Sequence, residues 1–255
     1  MPGFRIAALR SPEEMQLDPQ RGYSAAAVMY PPGGLMLAAA STAGGLVLAA
    51  TAPGALVIDA AGVVQDPRVK QKISPNIERG PMSHVNGIIV HQTDGATAQS
   101  ALDSYKKVGA NGAHFLIDKD GTTYQTASVL KQAQHVGNLK SRCIAQMSCS
   151  PTEVAALKGK GAGAGIGGVE KKKAWPARYP GNTDSIGIEI VGQALPLNEP
   201  DRDKRSYEDL TAAQQKSFTW LLDGLRAALN VPLAEVFTHP TVSWKNKTEG
   251  TGAKW

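Results

Sequence analysis

The chain has 255 residues, of which 42% are hydrophobic and 19% are charged, and its net charge is +5. This length accommodates one full domain with an extension, and the composition is ordinary for a soluble enzyme. The positive charge favours an anionic partner. Aromatic residues make up only 5%, however, and no Arg-rich tract, helix-turn-helix or zinc-finger spacing is present. We therefore do not expect nucleic acid as the partner.

Residues 1–82 differ in composition from the rest and form an Ala/Gly-rich extension whose role the sequence does not indicate. Within it, residues 35–58 carry no charge and are long enough to span a bilayer. Gly-Gly and Pro-Gly pairs interrupt this run and alanine contributes little insertion energy, so we favour short strands or a partner-docking segment over membrane contact. A secretory signal fits poorly, because the charged residues lie far upstream. The composition of residues 59–84 predicts a polar connector that leads into a domain at residues 83–255.

The domain is predicted to begin with a strand, a helix and a hairpin. The strand covers residues 86–91 and ends at His91. Thr97 then caps a helix that a glycine ends. Its apolar face comprises Ala98, Ala101, Leu102 and Tyr105. The run HFLIDKDGTTYQT predicts a hairpin with an Asp-Gly turn.

Residues 137–183 form an insertion between this hairpin and the next strand. Its glycine run lacks the Lys-Ser or Lys-Thr of a phosphate-binding loop, so we expect a flexible flap beside a groove. The spacing of Cys143 and Cys149 matches none of the common zinc motifs. The two cysteines can form a disulfide or remain free thiols, and we predict a bridge in protein from an oxidising compartment.

The strand SIGIEIVG at residues 185–192 contains one ionisable side chain, Glu189. Its three alternate isoleucines share one face, which we expect to pack against helices. A lone buried carboxylate is costly without a partner. Glu189 therefore either faces solvent on a half-exposed sheet or acts as a general base near a metal ion.

The last predicted helix is followed by a strand that returns to the sheet. Thr211 and Gln214 form a capping box, and apolar residues then recur at helical spacing until an Asn-x-Pro sequence stops the helix. The run VFTH is the strand that follows. It brings His239 to the same sheet edge as His91.

Ten residues after His239 comes Glu249. Two imidazoles and one carboxylate form a three-ligand set that leaves a fourth zinc position open for water or substrate. The alternative is that both histidines are ordinary core or loop residues. The intervening Glu189 strand favours the metal site over that alternative.

Five segments occur in a recognisable order: GIIVHQT, HFLIDKDGTTYQ, QHVG, SIGIEIVG and H-x9-E. Together they resemble the type 2 N-acetylmuramoyl-L-alanine amidases and the related peptidoglycan-recognition proteins, over residues 85–255. The resemblance implies an α/β fold, with a mixed central β-sheet flanked by helices on both faces. The runs SRC…CSPTE and AKW are also similar to amidase effectors that bacteria deliver through type VI secretion.

The resemblance also implies a role for each of five residues. His91 and His239 match the zinc histidines of the family. Glu249 takes the place of an aspartate or cysteine as the third ligand. Glu189 matches the catalytic glutamate, and Lys247 matches a donor that stabilises the oxyanion.

Three further positions bear on the substrate groove that the resemblance implies. His114 and His135 match polar positions that line this groove and are not counted as zinc ligands. Ala113 stands where the family often has a tyrosine, so the role of a phenol at that position is lost.

The implied function is zinc-dependent hydrolysis of the amide between N-acetylmuramic acid and L-alanine in bacterial peptidoglycan, with Zn²⁺ as cofactor. The free carboxylates of peptidoglycan suit the positive net charge. A non-catalytic muropeptide-binding module is the alternative, because loss of a zinc ligand produces such proteins. The resemblance further implies secretion, or delivery to the bacterial periplasm or cell wall, with an immunity protein or secretion-apparatus partner.

Overall fold

The computed structural model describes residues 54–255 together with the backbone of the short strand β1. In chain order the strands and helices are β1 (Val47–Leu48), β2 (Ile58–Asp59), β3 (Val69–Gln71), β4 (Glu78–Pro81), β5 (Gly87–Gln92), α1 (Ala98–Ser104), β6 (Phe115–Ile117), β7 (Thr123–Gln125), β8 (Lys131–Ala133), α2 (Arg142–Ala145), α3 (Pro151–Leu157), α4 (Ala164–Glu170), β9 (Ser185–Ile190), β10 (Ala194–Leu195), β11 (Ser206–Tyr207), α5 (Ala212–Leu229), β12 (Val236–Thr238) and α6 (His239–Val242). Short 3-10 helices lie at Arg202–Lys204 and Leu233–Glu235.

A six-stranded sheet forms the centre of the domain, with the strand order β12-β5-β9-β6-β7-β3. The strands β12, β5, β9 and β6 run parallel to one another, whereas β7 is antiparallel to β6 and parallel to β3. The sheet is therefore mixed, as predicted. Antiparallel two-stranded pairs β1-β2, β4-β8 and β10-β11 accompany it.

Helices cover both faces of this sheet. The isoleucines of β9 point to one face, as predicted, and share a core cluster with Phe218 and Leu222 of α5. Leu116 of β6 points to the opposite face, because side chains alternate along a strand, and it packs with Ala98 of α1. The predicted α/β architecture, with helices on both sides of a mixed sheet, is confirmed.

The helix and hairpin boundaries follow the local signals in the sequence. The Thr97 side chain caps α1 by accepting a hydrogen bond from the Ser100 backbone N–H. Thr211 and Gln214 form both hydrogen bonds of the capping box of α5, which ends at Asn230 in the left-handed conformation. The hairpin of β6 and β7 is also present.

Residues 54–82 contribute to the core and to the sheet. Leu56, Ile58 and Val64 are buried in the same cluster as α5. Gly224 lets this segment lie directly on α5, because a Cβ at that position would come within 2.6 Å of Leu56. The predicted polar connector over 59–84 therefore differs from the structure, in which β3 joins the central sheet. The domain limits at 82 and 83 stay a prediction.

The insertion at 137–183 folds as α2, α3 and α4. A disulfide joins Cys143 and Cys149, as predicted. Arg142 pairs with Glu235 at 2.7 Å, and so ties α2 to the residue just before β12. This segment therefore differs from the predicted flexible flap, because covalent and ionic links anchor it to the rest of the domain.

For residues 35–58 we predicted short strands or a partner-docking segment, with membrane contact as the alternative. Most of this segment lies outside the described residues. Among the helices of the described part of the chain, none is long and apolar enough to cross a membrane.

Candidate active site

The predicted metal ligands meet at one edge of the central sheet. His91 is the fifth residue of β5, and His239 follows directly after the neighbouring parallel strand β12. The loop that carries Glu249 crosses the end of β5, where Gly250 has a φ of +73°. A Cβ at Gly250 would lie 2.9 Å from the Val90 carbonyl oxygen, so glycine permits this close approach.

Three ligand atoms converge at this edge. Nδ1 of His91 lies 2.8 Å from Nδ1 of His239, which lies 2.8 Å from Oε1 of Glu249. The His91 Nδ1 to Glu249 Oε1 distance is 3.4 Å. All three residues are buried. Their separation is small enough for one ion to contact all three atoms.

Hydrogen bonds on the far side of each ring indicate which nitrogen carries the proton. Nε2 of His239 lies 3.0 Å from the Val136 carbonyl, which can only accept. Nε2 of His135 lies 3.3 Å from the Ser185 carbonyl, so His135 accepts at Nδ1 from Nε2 of His91, at 3.0 Å. Both metal-facing Nδ1 atoms are then unprotonated.

In these protonation states, lone pairs of two imidazole nitrogens and one carboxylate oxygen point towards the same small space. Burial, together with the close approach of His239, lowers the pKa of His91 to about 4, so the His91 imidazole is neutral at pH 7. Burial opposes ionisation of Glu249, but the adjacent His239 and His91 outweigh it and lower its pKa to about 2. Neutral imidazoles and an ionised carboxylate are ligand types that zinc takes, so these residues fit a zinc ion.

Glu189 lies beside this ligand set, because it pairs in register with His91 between the parallel strands β5 and β9. Its Oε2 is buried and has no hydrogen-bond partner among the described residues. Burial raises the pKa of Glu189 to about 8, and the charge of Glu249 adds to the effect while that of Lys245 opposes it. Glu189 is half-buried and lines a groove. Its carboxyl group therefore does not project into open solvent from a half-exposed sheet, which was the alternative for this residue.

A groove of about 1030 Å³ opens over these residues. Its walls include all of the predicted metal and catalytic residues, which are His91, Glu189, His239, Lys247 and Glu249. Lys247 is exposed on the rim, in the loop that leads to Glu249. An unpartnered carboxyl group and a cation therefore face the same space as the three ligand atoms.

The two histidines predicted to line the groove occupy different environments. His135 is in the groove wall, where it also holds the ring of His91 through their hydrogen bond. Burial and the neighbouring histidines lower the pKa of His135 well below its usual range, which keeps it neutral. Gly187 leaves room for this ring, because a Cβ there would lie 2.8 Å from Nδ1 of His135.

His114 is not in the groove, so its predicted position was wrong. It is completely buried, with Nε2 at 2.9 Å from the Lys131 carbonyl oxygen and Nδ1 accepting from the Gly187 N–H at 3.0 Å. Burial lowers its pKa to about 4, so one neutral tautomer satisfies both bonds. His114 therefore joins β6 to β9 and β8 from within the core.

The sequence did not indicate three further residues of the groove. Tyr105, predicted only as part of an apolar helix face, lines the groove, and burial together with the charge of Glu189 raises its pKa. Tyr207 of β11 has its pKa raised by burial and by Glu249. Lys245 also lines the groove, and its charge lowers the pKa of both His91 and Glu189.

Comparison with known proteins identifies the family. The sequence profile of the N-acetylmuramoyl-L-alanine amidases (type 2) matches residues 81–252. The chain belongs to this family. Membership supports peptidoglycan amidase activity, and the match covers every residue of the groove considered above.

Several solved structures are similar to the chain at low sequence identity. A selenomethionine derivative of AmpD is 17% identical and covers 75% of this chain and 92% of its own, with a TM-score of 0.46. PlyL is 15% identical, covering 72% and 86%, with a TM-score of 0.43. The endolysin amidase LysCS from Clostridium intestinale URNW is 18% identical, covering 71% and 86%, with a TM-score of 0.40. No curated protein sequence matches the chain.

Proposed function

We propose that the protein is a zinc-dependent hydrolase that cleaves the amide between N-acetylmuramic acid and L-alanine in bacterial peptidoglycan. The observation that carries this proposal is the meeting of Nδ1 of His91, Nδ1 of His239 and Oε1 of Glu249 beside the unpartnered carboxyl group of Glu189. Three ligands with an open side, next to a carboxyl group, are what a hydrolytic zinc site requires.

When bound, zinc supplies a Lewis acid that polarises the amide carbonyl and lowers the pKa of water towards about 7. His91, His239 and Glu249 would hold the ion. His135 and the Val136 carbonyl keep the two metal-facing nitrogens unprotonated and fix the ring orientations.

Glu189 is proposed to move the proton. Its carboxylate takes a proton from the attacking water as the oxygen forms its bond to the amide carbon. It then passes that proton to the amide nitrogen as the carbon–nitrogen bond breaks, which releases the L-alanine amino group. A pKa of about 8 suits both halves of this transfer, because a base works best when its pKa lies near the operating pH.

Lys247 is proposed to stabilise the charge that develops on the carbonyl oxygen. Its ammonium group lies on the groove rim, two residues before Glu249. A cation placed where negative charge develops in the transition state lowers the barrier.

The alternative is a non-catalytic muropeptide-binding module. It rests on Glu249, which replaces the usual aspartate or cysteine. Against it, Oε1 of Glu249 reaches both histidine nitrogens in spite of the extra methylene. The loop geometry at Gly250 supports this reach, because it sets Glu249 directly over the end of β5.

We also propose that the protein acts in the bacterial periplasm or cell wall. The Cys143–Cys149 disulfide supports this, since disulfides persist in oxidising compartments. Delivery by type VI secretion and an immunity partner stay predictions. Thiol titration of denatured protein recovered from that compartment checks the location, and two reactive thiols would contradict it.

Mass spectrometry of digested peptidoglycan tests the reaction. We expect stem peptides with a free L-alanine amino terminus, and glycan strands that remain intact. Cuts within the stem peptide would indicate an endopeptidase, and cuts in the glycan would indicate a glycosidase. Tight muropeptide binding without any cleavage would establish the binding module instead.

A further inference from the structure

Three lysines line the groove, and we call Lys140, Lys245 and Lys247 the cationic wall. None of the three has a carboxylate oxygen within 4.0 Å among residues 54–255, whereas other lysines of this part of the chain, such as Lys119 and Lys173, do. The cationic wall therefore faces the groove with its charge unpaired.

Lys140 is held in place by the C-terminal segment that contains His239. Its backbone N–H donates to the Val242 carbonyl at 2.8 Å, and its Nζ donates to the Pro240 carbonyl at 2.6 Å. An ammonium group has three protons, so two remain available to a ligand. Lys140 and Lys247 line the same groove, and partial burial together with the charge of Lys247 lowers the pKa of Lys140.

The loop that carries Lys245 and Lys247 is fixed by the residue between them. Nδ2 of Asn246 donates to the carbonyls of Arg202 and Arg205, at 2.5 and 2.8 Å. Its Oδ1 accepts from the backbone N–H of Thr248 at 2.8 Å. Like charges repel, so holding three ammonium groups in one wall is unfavourable unless an anion joins them.

We propose that the cationic wall binds a free carboxylate on the substrate, namely that of an acidic residue directly following L-alanine in the stem peptide. This inference rests on the proposed function. The wall adjoins the ligand set, since Lys247 is two residues from Glu249 and Lys140 is four residues from Val136, which contacts His239. An extended peptide advances about 3.3–3.6 Å per residue, so an anion bound here belongs to a residue close to the cleaved amide.

The chemistry of the wall favours a carboxylate over its carboxamide. Ammonium groups donate charge-assisted hydrogen bonds to a carboxylate, and these are roughly twice as strong as bonds to a neutral acceptor. Conversion of the substrate carboxylate to a carboxamide removes that charge with little change of shape. The wall is thus a specificity determinant that reads the amidation state of the second stem residue.

Calorimetric titration with two ligands tests the proposal. The ligands are N-acetylmuramoyl dipeptides whose second residue is glutamate or its carboxamide. The protein is the zinc-loaded full chain with Glu189→Gln, which slows turnover enough for binding to be measured. We expect the acid to bind about tenfold more tightly, which is about 1.4 kcal/mol. Adding Lys140→Gln and Lys245→Gln should remove that difference and leave carboxamide binding unchanged.

Controls separate a lost contact from a disturbed fold. Lys245→Gln alone should weaken binding of the acid, and Lys245 has no hydrogen-bond partner among the described residues, so its replacement leaves the fold intact. Lys171→Gln, at an exposed position outside the groove, should change neither affinity. Zinc content should remain equal in all of these variants.

Other results would contradict the proposal. Equal affinity of the parent protein for the two ligands, or an equal loss for both in the lysine variants, would overturn the carboxylate subsite while leaving the amidase proposal intact. Lysine-dependent binding of a glycerol-phosphate oligomer, with no difference between the dipeptides, would assign the wall to phosphate instead. If neither dipeptide binds and neither is cleaved by the unaltered protein, the proposed function itself fails.

Discussion

The sheet edge and the insertion at 137–183 both bury ionisable side chains, but they pair them differently. At the sheet edge, His91, His239 and Glu249 direct electron pairs at one another, and Oε2 of Glu189 has no hydrogen-bond partner among the described residues. In the insertion, by contrast, buried charges meet opposite charges. Glu170 of the insertion also lacks a hydrogen bond but has Lys173 at 2.8 Å, whereas Glu189 has no cation within 4.0 Å among the described residues. A buried carboxyl group with neither kind of partner is costly, so this edge is where a ligand is expected.

In the insertion, charged side chains form ion pairs that stabilise the fold. Arg142 forms two hydrogen bonds with Glu235, and Arg178 pairs with Asp184 at 3.0 Å. Lys173 lies 2.8 Å from Glu153 and also 2.8 Å from the fully buried Glu170. Paired charges of this kind anchor a segment, although the Glu170 oxygens, like Oε2 of Glu189, form no hydrogen bond among the described residues. The comparison predicts that changes at the edge affect chemistry, whereas changes in the insertion affect stability.

The largest effect is expected from Glu189→Gln at the sheet edge. The substitution keeps the shape and hydrogen bonding of the side chain but removes the base. Proton transfer contributes about 10²–10⁴-fold to the rate, so turnover should fall by about that factor. Zinc content and thermal stability should be unchanged. Hydrolysis rates at saturating substrate measure this, and an undiminished rate would show that another group handles the proton.

Arg142→Met should act on stability alone. It leaves the buried carboxylate of Glu235 without its cationic partner and with only the Trp175 indole N–H donating to it, and loss of one partner of a buried pair costs about 3–5 kcal/mol. Urea unfolding measures the change. The matched control is Lys106→Met, which breaks the exposed pair with Asp103 and should change stability far less, because solvent screens an exposed ion pair. If the folded Arg142→Met protein lost its zinc, the insertion would not act on stability alone, and the contrast with the sheet edge would be wrong.

Replacing both cysteines, Cys143→Ser with Cys149→Ser, should have a smaller effect. The bridge closes a short loop, with a sequence separation of 6, so chain entropy predicts a loss of about 2–3 kcal/mol. Unfolding of oxidised wild-type protein against the double variant gives the difference. Activity per folded molecule should be equal in the two proteins. An unchanged unfolding midpoint would mean that the ion pairs alone anchor the insertion.

The sequence predicted those parts of the site that local patterns encode. His91, Glu189 and His239 each lie in or directly after a strand with a clear hydrophobic pattern, and parallel strands bring their ends together. The helix α5 with its capping box and the disulfide were predicted because each depends on residues close in the sequence. The mixed sheet was predicted from the resemblance to the amidases. The structure adds the distances between the three ligand atoms, which local patterns in the sequence do not contain.

Contacts between distant segments were not predictable. The strand β3 has only three residues, of which Val69 alone is buried, so it shows no periodic signal. His114 and His135 each precede an apolar residue, Phe115 and Val136, yet only the fold sends one histidine into the core and the other to His91. Lys245 is one of several lysines near the C-terminus, and its effect on Glu189 depends on the loop that Asn246 fixes.

Zinc content is the most direct test of the account. The purified chain, dialysed against metal-free buffer, should retain about one zinc per molecule, as three protein ligands with an open position require. His239→Ala should remove most of the metal and the activity, while His84→Ala, at an exposed histidine outside the groove, should change neither. Elemental analysis by mass spectrometry gives these ratios. A His239→Ala protein that keeps its full zinc content and hydrolyses peptidoglycan would contradict the account.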